Sequence, residues 1–310
     1  MELTERWPAL PNAFVRETAR WSAMAGQELG VERWLSAFAE PKPKRQAAMT
    51  APVMKQAVQR VHDAVAREGG GAGNRLGGAC GREAAAFMFP PEGVAPMPDH
   101  QVRCALRMRC GFRDVTEHGC TKCANVDHAG AACGRECGRD YGEHAVRCLK
   151  GGGANQRHNG VRNAVGGWLK ELGFRVELEL EVPEWQGDNG EAARLDVCYW
   201  AGGRTQYVDT TVVTSGTKTP GALVVLERRE RTKHRKYPGP SMIPFVADAR
   251  GRWGVEAKAW ARGICKGLPA DQKGEQWAKL QWVVARALQE GVAEQVYSCG
   301  AIPAPVLPCL

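Results

Sequence analysis

The segment ARLDVCYWAGGRTQYVDTTVV (193–213) constrains the fold of this 310-residue chain more than any other stretch. Two alternating apolar runs lie on either side of AGGR, and a short glycine turn between such runs is typical of a β-hairpin. Each predicted strand contains one aspartate, Asp196 or Asp209, in an otherwise apolar setting. Because buried strands exclude carboxylates that have no partner, we expect both acids to bind something.

The flanking segments predict that helices cover this hairpin. The segment FRVELELEVP alternates between apolar and charged residues and predicts a strand, whose apolar face carries Phe174, Val176, Leu178, Leu180 and Val182. The segment MIPFVADA predicts a fourth strand. Helical periodicity occurs at 157–174 and 222–237, in VEAKAWARGI and in EQWAKLQWVVARALQEGVAEQV. The predicted fold class is therefore α/β (α+β), with a mixed sheet flanked by helices.

The two hairpin acids predict a magnesium site. Clustered carboxylates repel each other unless a cation lies between them, and magnesium prefers oxygen ligands and retained water. Glu179 and Glu181 lie on the polar side of the neighbouring strand, and Lys233 and Lys236 share one face of the next helix. Such a group can hold a divalent ion and polarise a phosphodiester. The alternative is that each aspartate caps a strand end or pairs with an arginine.

Basic residues near these acids predict a polyanionic partner. The formal net charge is +8, and the run RRERTKHRKY (228–237) contains six basic residues and one acidic residue. A solvated helix face is the alternative to phosphate binding here. At the start of the 157–174 helix, Arg157 and His158 are candidates for contact with substrate oxygens, although Asn159 there is compatible with a simple cap. The nucleic-acid-binding candidates are Arg157, Arg228, Arg229, Arg231 and Arg235.

Cysteines concentrate in one tract and predict zinc. Five of the twelve cysteines lie between residues 120 and 148. Because the sequence begins without the pattern of a signal peptide, we expect a reducing compartment, in which cysteines rarely form disulfides. A tetrahedral zinc ion would fold this tract, which lacks an apolar core of its own. His144 and Cys148 belong to every feasible ligand set. The other ligands are open among Cys120, Cys123, Cys133 and Cys137: Cys133 with Cys137, Cys123 with Cys133, or Cys120 with Cys123.

Composition shifts predict the domain organisation. Residues 1–68 are expected to form a helical N-terminal region, with helices at 11–39 and 48–68, and 69–97 a flexible linker rich in glycine and proline. Residues 98–153 are expected to form a helix and the zinc knuckle, 154–298 the mixed-sheet domain and 299–310 a tail. No run of eighteen apolar residues occurs, so we expect an intracellular protein that does not bind membranes.

The order of these motifs resembles a known family. A Cys/His knuckle ending in GEHAVRCLKGGG is followed by RHNGVRNAV, VPEW, RLDV, YVDTTVV, a basic helix ending in KYPGP, and PFVADARGRWG. Over roughly 98–296 the chain is similar to the restriction-endonuclease-like region that follows the polymerase of non-LTR retrotransposon proteins. No Y-x-D-D polymerase motif occurs in the sequence.

The resemblance implies a PD-(D/E)xK core that nicks nuclear DNA with magnesium. Asp196 then matches the aspartate of PD, Asp209 the second acid, Lys236 or Lys233 a displaced lysine, and Glu179 an acidic position on the preceding strand. Arg157 and His158 belong to the family's RHN element. Leu195 replaces the proline of PD, and Thr211 stands where the pattern has lysine. A catalytically decayed module that binds DNA or RNA is the alternative.

Overall fold

The computed structural model describes residues 59, 63, 67, 77–79, 81–91, 94–109, 122–136, 142–186, 190–215 and 221–299. The chain divides into two units, 1–69 and 70–310, and the account below concerns the second unit. The helices predicted at 11–39 and 48–68 lie outside the described residues, apart from three isolated positions. The predicted 299–310 tail lies outside them as well, apart from its first residue.

The second unit contains seven described helices and four strands. They are α1 (Arg82–Ala85, continued by a short 3-10 turn, Ala86–Met88), α2 (Asp99–Arg109), α3 (Glu143–Arg147), α4 (Gly153–Glu171), β1 (Val176–Gln186), β2 (Ala192–Ala201), β3 (Arg204–Val213), α5 (Ala222–Lys236), β4 (Met242–Asp248), α6 (Val255–Lys266) and α7 (Ala270–Cys299). The four-stranded mixed sheet flanked by helices is confirmed.

The sheet has the order β1-β2-β3-β4, in which the first three strands form an antiparallel meander and β4 runs parallel to β3. The β2–β3 turn is the predicted glycine turn. Both Gly202 and Gly203 have positive φ, 57° and 74°, which a two-residue hairpin turn of type I′ requires and other residues rarely adopt. The turn therefore sets the register that brings β3 back along β2.

The apolar face of β1 differs from the prediction. Val176 and Leu178 pack toward α4, whereas Leu180 and Val182 belong to a cluster with Leu195 and Tyr237. The switch occurs at Glu179, whose φ of 55° breaks the two-residue alternation of the strand. A single residue with a left-handed backbone conformation thus divides the predicted apolar face of β1 into two parts, and each part packs in a different cluster.

The main core lies between the sheet and the helices α4, α6 and α7. It consists of fully buried side chains from all these elements: Val161, Val165, Trp168, Leu169, Val197, Val208, Phe245, Ala257, Ala261, Leu280, Val284 and Leu288. Each helix shows apolar residues at spacings of three and four, so each buries one stripe against the sheet. The core therefore fixes α4 across the strands that carry the two aspartates.

The long helix α7 connects this core to a second one. Its N-terminal half contributes Leu280, Val284 and Leu288 to the main core, while Val292 and Val296 pack with Cys104 of α2 and the cysteine tract. The described part of the predicted linker also packs: Phe87 and Met97 are almost fully buried against α2 and α7. Those two apolar side chains order a segment that its glycine and proline content marked as flexible.

Within the described part of the chain, no helix is long and apolar enough to cross a membrane.

Candidate functional site

The two hairpin acids lie next to each other. The last registered pair of β2 and β3 is Val197 with Val208, and Asp196 and Asp209 are the next residue on each strand. Directly opposed residues of an antiparallel pair project from the same face. The carboxyl groups lie close enough that each shifts the pKa of the other. The hairpin thus delivers two carboxyl groups to one place, as the sequence predicted.

Asp196 is held from both sides. Nε2 of His158, on α4, lies 3.0 Å from Oδ1, and Thr210 donates its backbone N–H and its hydroxyl to Oδ2, both at 2.7 Å. Burial acts to raise the pKa of this carboxyl, but the hydrogen bonds and charge from His158 and Thr210 outweigh it and lower the pKa below its usual value. Asp196 is therefore ionised over the physiological range.

Asp209 differs from Asp196 although it is only one strand away. Burial raises its pKa to about 6, the Asp196 carboxylate adds to the rise, and the Lys233 ammonium opposes it. Nζ of Lys233 lies 2.6 Å from Oδ2, as an ion pair without the alignment of a hydrogen bond. Oδ2 of Asp209 is thus a buried carboxylate oxygen whose charge the Lys233 ammonium balances.

The lysine at these acids is Lys233. Its side chain is largely buried and reaches from α5 to β3. Lys236, one turn later on the same helix, lies over the ring of Tyr237 at 5.2 Å from its centroid. Helix geometry separates the two candidates that the sequence could not distinguish.

Glu179 keeps its predicted position on the strand next to Asp196, whereas Arg157 does not reach the surface. Glu179 is exposed and forms ion pairs with Arg162 and Arg194, and its neighbours Leu178 and Leu180 pair with the residues on either side of Asp196. Arg157 is buried and donates through Nη1 to Gln295 Oε1 at 2.8 Å and to the Val146 carbonyl at 3.2 Å. The prediction that Arg157 contacts nucleic acid is wrong, because its guanidinium joins α4 to α7 inside the protein.

The arginines of α5 face solvent. Arg228, Arg229, Arg231 and Arg235 are all exposed. Arg231 lies 4.0 Å from Glu227, and Arg235 donates to the Thr232 hydroxyl at 3.3 Å. Exposed pairs of this kind contribute little to stability, so these cations stay available to an anion.

A second group of ligand-type side chains lies in the cysteine tract. One potential ligand atom from each of Cys123, Cys133, His144 and Cys148 lies within 4.8 Å of all the others, and in the part of the chain that the structure describes this is the one group of three or more such residues. This is one of the three ligand sets that the sequence left open. Cys120 and Cys137 lie outside the described residues.

The spacing of these atoms fits a tetrahedral ion. The two sulfurs of Cys123 and Cys148 are 3.7 Å apart, and Cys133 Sγ is 3.4 Å from His144 Nε2. Ligand bonds of about 2.3 Å to sulfur and about 2.0 Å to nitrogen place two sulfurs about 3.8 Å apart, and a sulfur and a nitrogen about 3.5 Å apart, around zinc. The four side chains could hold a metal such as zinc.

Short local structure builds this cluster. A strand-like pair links residues 122–126 to 132–136, with Cys123 N–H donating to the Arg135 carbonyl at 2.7 Å and Cys133 N–H to the Asn125 carbonyl at 2.8 Å. The other two ligands come from α3 and the residue that follows it. The turn and the helix thus face each other with two ligands each.

Two contacts were not foreseen from the sequence. Thr210 binds Asp196, and Cys299, at the end of α7, hydrogen-bonds to Cys123. The hairpin register offered a signal for Thr210, because it places residue 210 within one position of Asp196. No local pattern signals Cys299, which is 176 residues from its partner in sequence.

Comparison with known proteins adds no family: a scan of protein-family models and a search of curated proteins both give no significant match.

Proposed function

We propose that the protein is a magnesium-dependent DNA endonuclease that nicks one strand and derives from a retrotransposon protein. The observation that carries this proposal is the meeting of two carboxyl groups, Asp196 and Asp209, on adjacent strands, with the ammonium group of Lys233 at Asp209. Two acids and a lysine at one sheet position form the minimal set for metal-assisted phosphodiester hydrolysis. Action on chromosomal DNA would place the protein in the nucleus.

The residues at the site fit a hard divalent cation. Magnesium binds through one or two carboxylates and retained water, and two carboxyl groups meet here on adjacent strands. Asp196 and Asp209 would hold the ion. When bound, magnesium would supply Lewis-acid polarisation of the phosphate and lower the pKa of a coordinated water.

The other side chains have roles that follow from position. Lys233 would neutralise charge on the phosphate in the transition state, since its ammonium already lies at Asp209. His158 lies on the more exposed side of Asp196 and is a candidate to contact the substrate or to carry a proton. The exposed arginines of α5 would hold the DNA backbone beside Lys233.

The topology also supports the proposal. A helix, an antiparallel meander, a crossover helix and a parallel fourth strand follow one another as α4, β1–β3, α5 and β4. The two acids lie on β2 and β3 and Lys233 on the helix that follows, and these are residues that the resemblance assigns to a PD-(D/E)xK core. A tetrahedral zinc ion at Cys123, Cys133, His144 and Cys148 would complete the proposed domain.

Nicking of supercoiled plasmid tests the proposal. Wild-type protein with magnesium should convert supercoiled to open-circular DNA, and Asp196→Asn and Asp209→Asn should each reduce the rate at least about a hundredfold. Asp271→Asn is the matched control, since Asp271 is exposed in the first turn of α7. Equal rates in wild type and both site variants, with folding confirmed by circular dichroism, would reject the nuclease.

A binding module without cleavage is the second candidate, and the same ion pair favours it. Lys233 neutralises Asp209 without any metal, and Thr211 stands where a catalytic lysine is common. The arginines of α5 would then bind DNA or RNA alone. Affinity that falls steeply with salt, together with no nicking at any magnesium concentration, would identify this function.

A further inference from the structure

Thr210 satisfies one oxygen of Asp196 completely. It is 1 % exposed, and both its backbone N–H and its Oγ1 lie 2.7 Å from Oδ2 of Asp196. A carboxylate oxygen has two lone pairs, so these two donors occupy Oδ2. The hydroxyl and the amide come from one residue, and they therefore fix the direction of the carboxyl plane as well as its position.

The remaining capacity of this carboxylate lies on Oδ1. Nε2 of His158 lies 3.0 Å from Oδ1 and uses one lone pair when it donates. One lone pair of Oδ1 is then left for a further ligand. Asp196 can offer a single oxygen to a cation, in a direction that Thr210 determines.

We propose that Thr210 is a positioning residue of the magnesium site: it locks the Asp196 carboxyl group so that this acid binds the ion through Oδ1 alone. The inference rests on the proposed function, because it assigns the geometry of the same site. Strand β3 supplies Asp209 as one ligand and, from the next residue, the donor that orients the other ligand. Hydrogen bonds to ligating carboxylates typically raise metal affinity by fixing the ligand before the ion arrives.

Substitution by valine isolates the hydroxyl. Thr210→Val keeps the shape and the backbone N–H but removes the Oγ1 donor, so Oδ2 retains one of its two bonds. Thr210→Ser keeps the donor and loses only a methyl group. Thr205→Val makes the same chemical change in the same strand, at the hairpin end far from the acids.

Two measurements on the full-length chain would test the inference: magnesium binding by titration calorimetry without DNA, and the magnesium dependence of plasmid nicking. Thr210→Val should weaken magnesium binding about tenfold and raise the half-saturating magnesium concentration for nicking by a similar factor. The nicking rate at saturating magnesium should fall much less. Thr210→Ser should bind within about twofold of wild type, and Thr205→Val should match wild type.

The calorimetry separates this inference from the nuclease proposal. If wild type binds magnesium but nicks no plasmid, the nuclease proposal fails, while a tenfold loss in Thr210→Val would still support the positioning role. Unchanged magnesium affinity in Thr210→Val would overturn it. An equal loss in Thr210→Ser, or no magnesium binding by wild type, would overturn it as well.

Discussion

At the scale of single residues, burial separates the behaviour of two aspartates that lie side by side. Thr210 and His158 stabilise the charged form of Asp196. The charged form of Asp209, in contrast, is destabilised by burial more than it is stabilised by Lys233. The folded-state pKa of Asp209 is raised above that of the unfolded chain. Its proton is therefore retained on folding, and stability is lost as the pH rises from about 4 to about 6.

We expect this loss to depend on Asp209 itself. A rise of the pKa from 3.8 to about 6 corresponds to about 2 to 3 kcal/mol of unfolding free energy. In magnesium-free buffer, urea denaturation measures the free energy of unfolding at each pH. Between pH 4 and pH 7 this free energy should fall by that amount more in wild type than in Asp209→Asn. Asp271→Asn should keep the wild-type profile, and parallel curves for wild type and Asp209→Asn would contradict the assignment.

Part of the site was predictable at this scale. The meeting of Asp196 and Asp209 follows from a turn of fixed length between two alternating runs, which the sequence states directly. The choice of Lys233 over Lys236 depends on how α5 is rotated about its axis. The inward direction of Arg157 depends on a partner, Gln295, that is 138 residues away in sequence.

At the scale of elements, α5 presents its charge outward. Affinity for DNA falls with salt, and each phosphate contact contributes about 0.9 to the steepness of log affinity against log salt. Changing Arg228, Arg229, Arg231 and Arg235 together to Gln should therefore make this slope less steep by about 3 to 4. Fluorescence anisotropy with a labelled duplex at 50–300 mM salt would measure this slope. The expected effect on folding is small, because all four side chains are exposed.

Lys266 and Lys273 provide the control for α5. Both are exposed, at the end of α6 and in the first turns of α7. Changing them to Gln removes positive charge without touching α5. If the salt slope of this control variant falls as much per charge removed as that of the α5 variant, net charge and not α5 governs binding.

The elements themselves were largely predictable because each has a strong period. The bounds of α5 and β2–β4 agree with the sequence patterns within a few residues, since apolar spacing and glycine or proline breaks define them. The exception is β1, where the alternation continues in sequence but not in space. A left-handed conformation at a glutamate leaves no trace in an apolar–polar pattern.

At the scale of the whole molecule, the cysteine tract and the sheet share α7, so we expect a metal in one to stabilise both. Purified protein should contain one zinc per chain, and a zinc chelator should lower the melting temperature by about 10 °C or more. Tryptophan fluorescence and zinc release should change together on heating. Two well-separated transitions for these signals would contradict a shared core.

Cys148→Ser and Cys265→Ala distinguish ligation from mere burial. Both thiols are buried, but Cys148 belongs to the metal group and Cys265 to the main core. Elemental analysis should find zinc lost in Cys148→Ser and retained in Cys265→Ala. Loss of zinc from neither variant would show that the four side chains do not form the binding site.

The double packing of α7 has a practical consequence for dissecting this protein. A shortened chain starting at residue 154 would keep every strand and both acids, yet it would leave Val292 and Val296 facing water. Two such molecules would be driven to bury these valines against each other. If that shortened chain were inactive, its aggregation would explain the result, and the chemistry of Asp196 and Asp209 would remain untested.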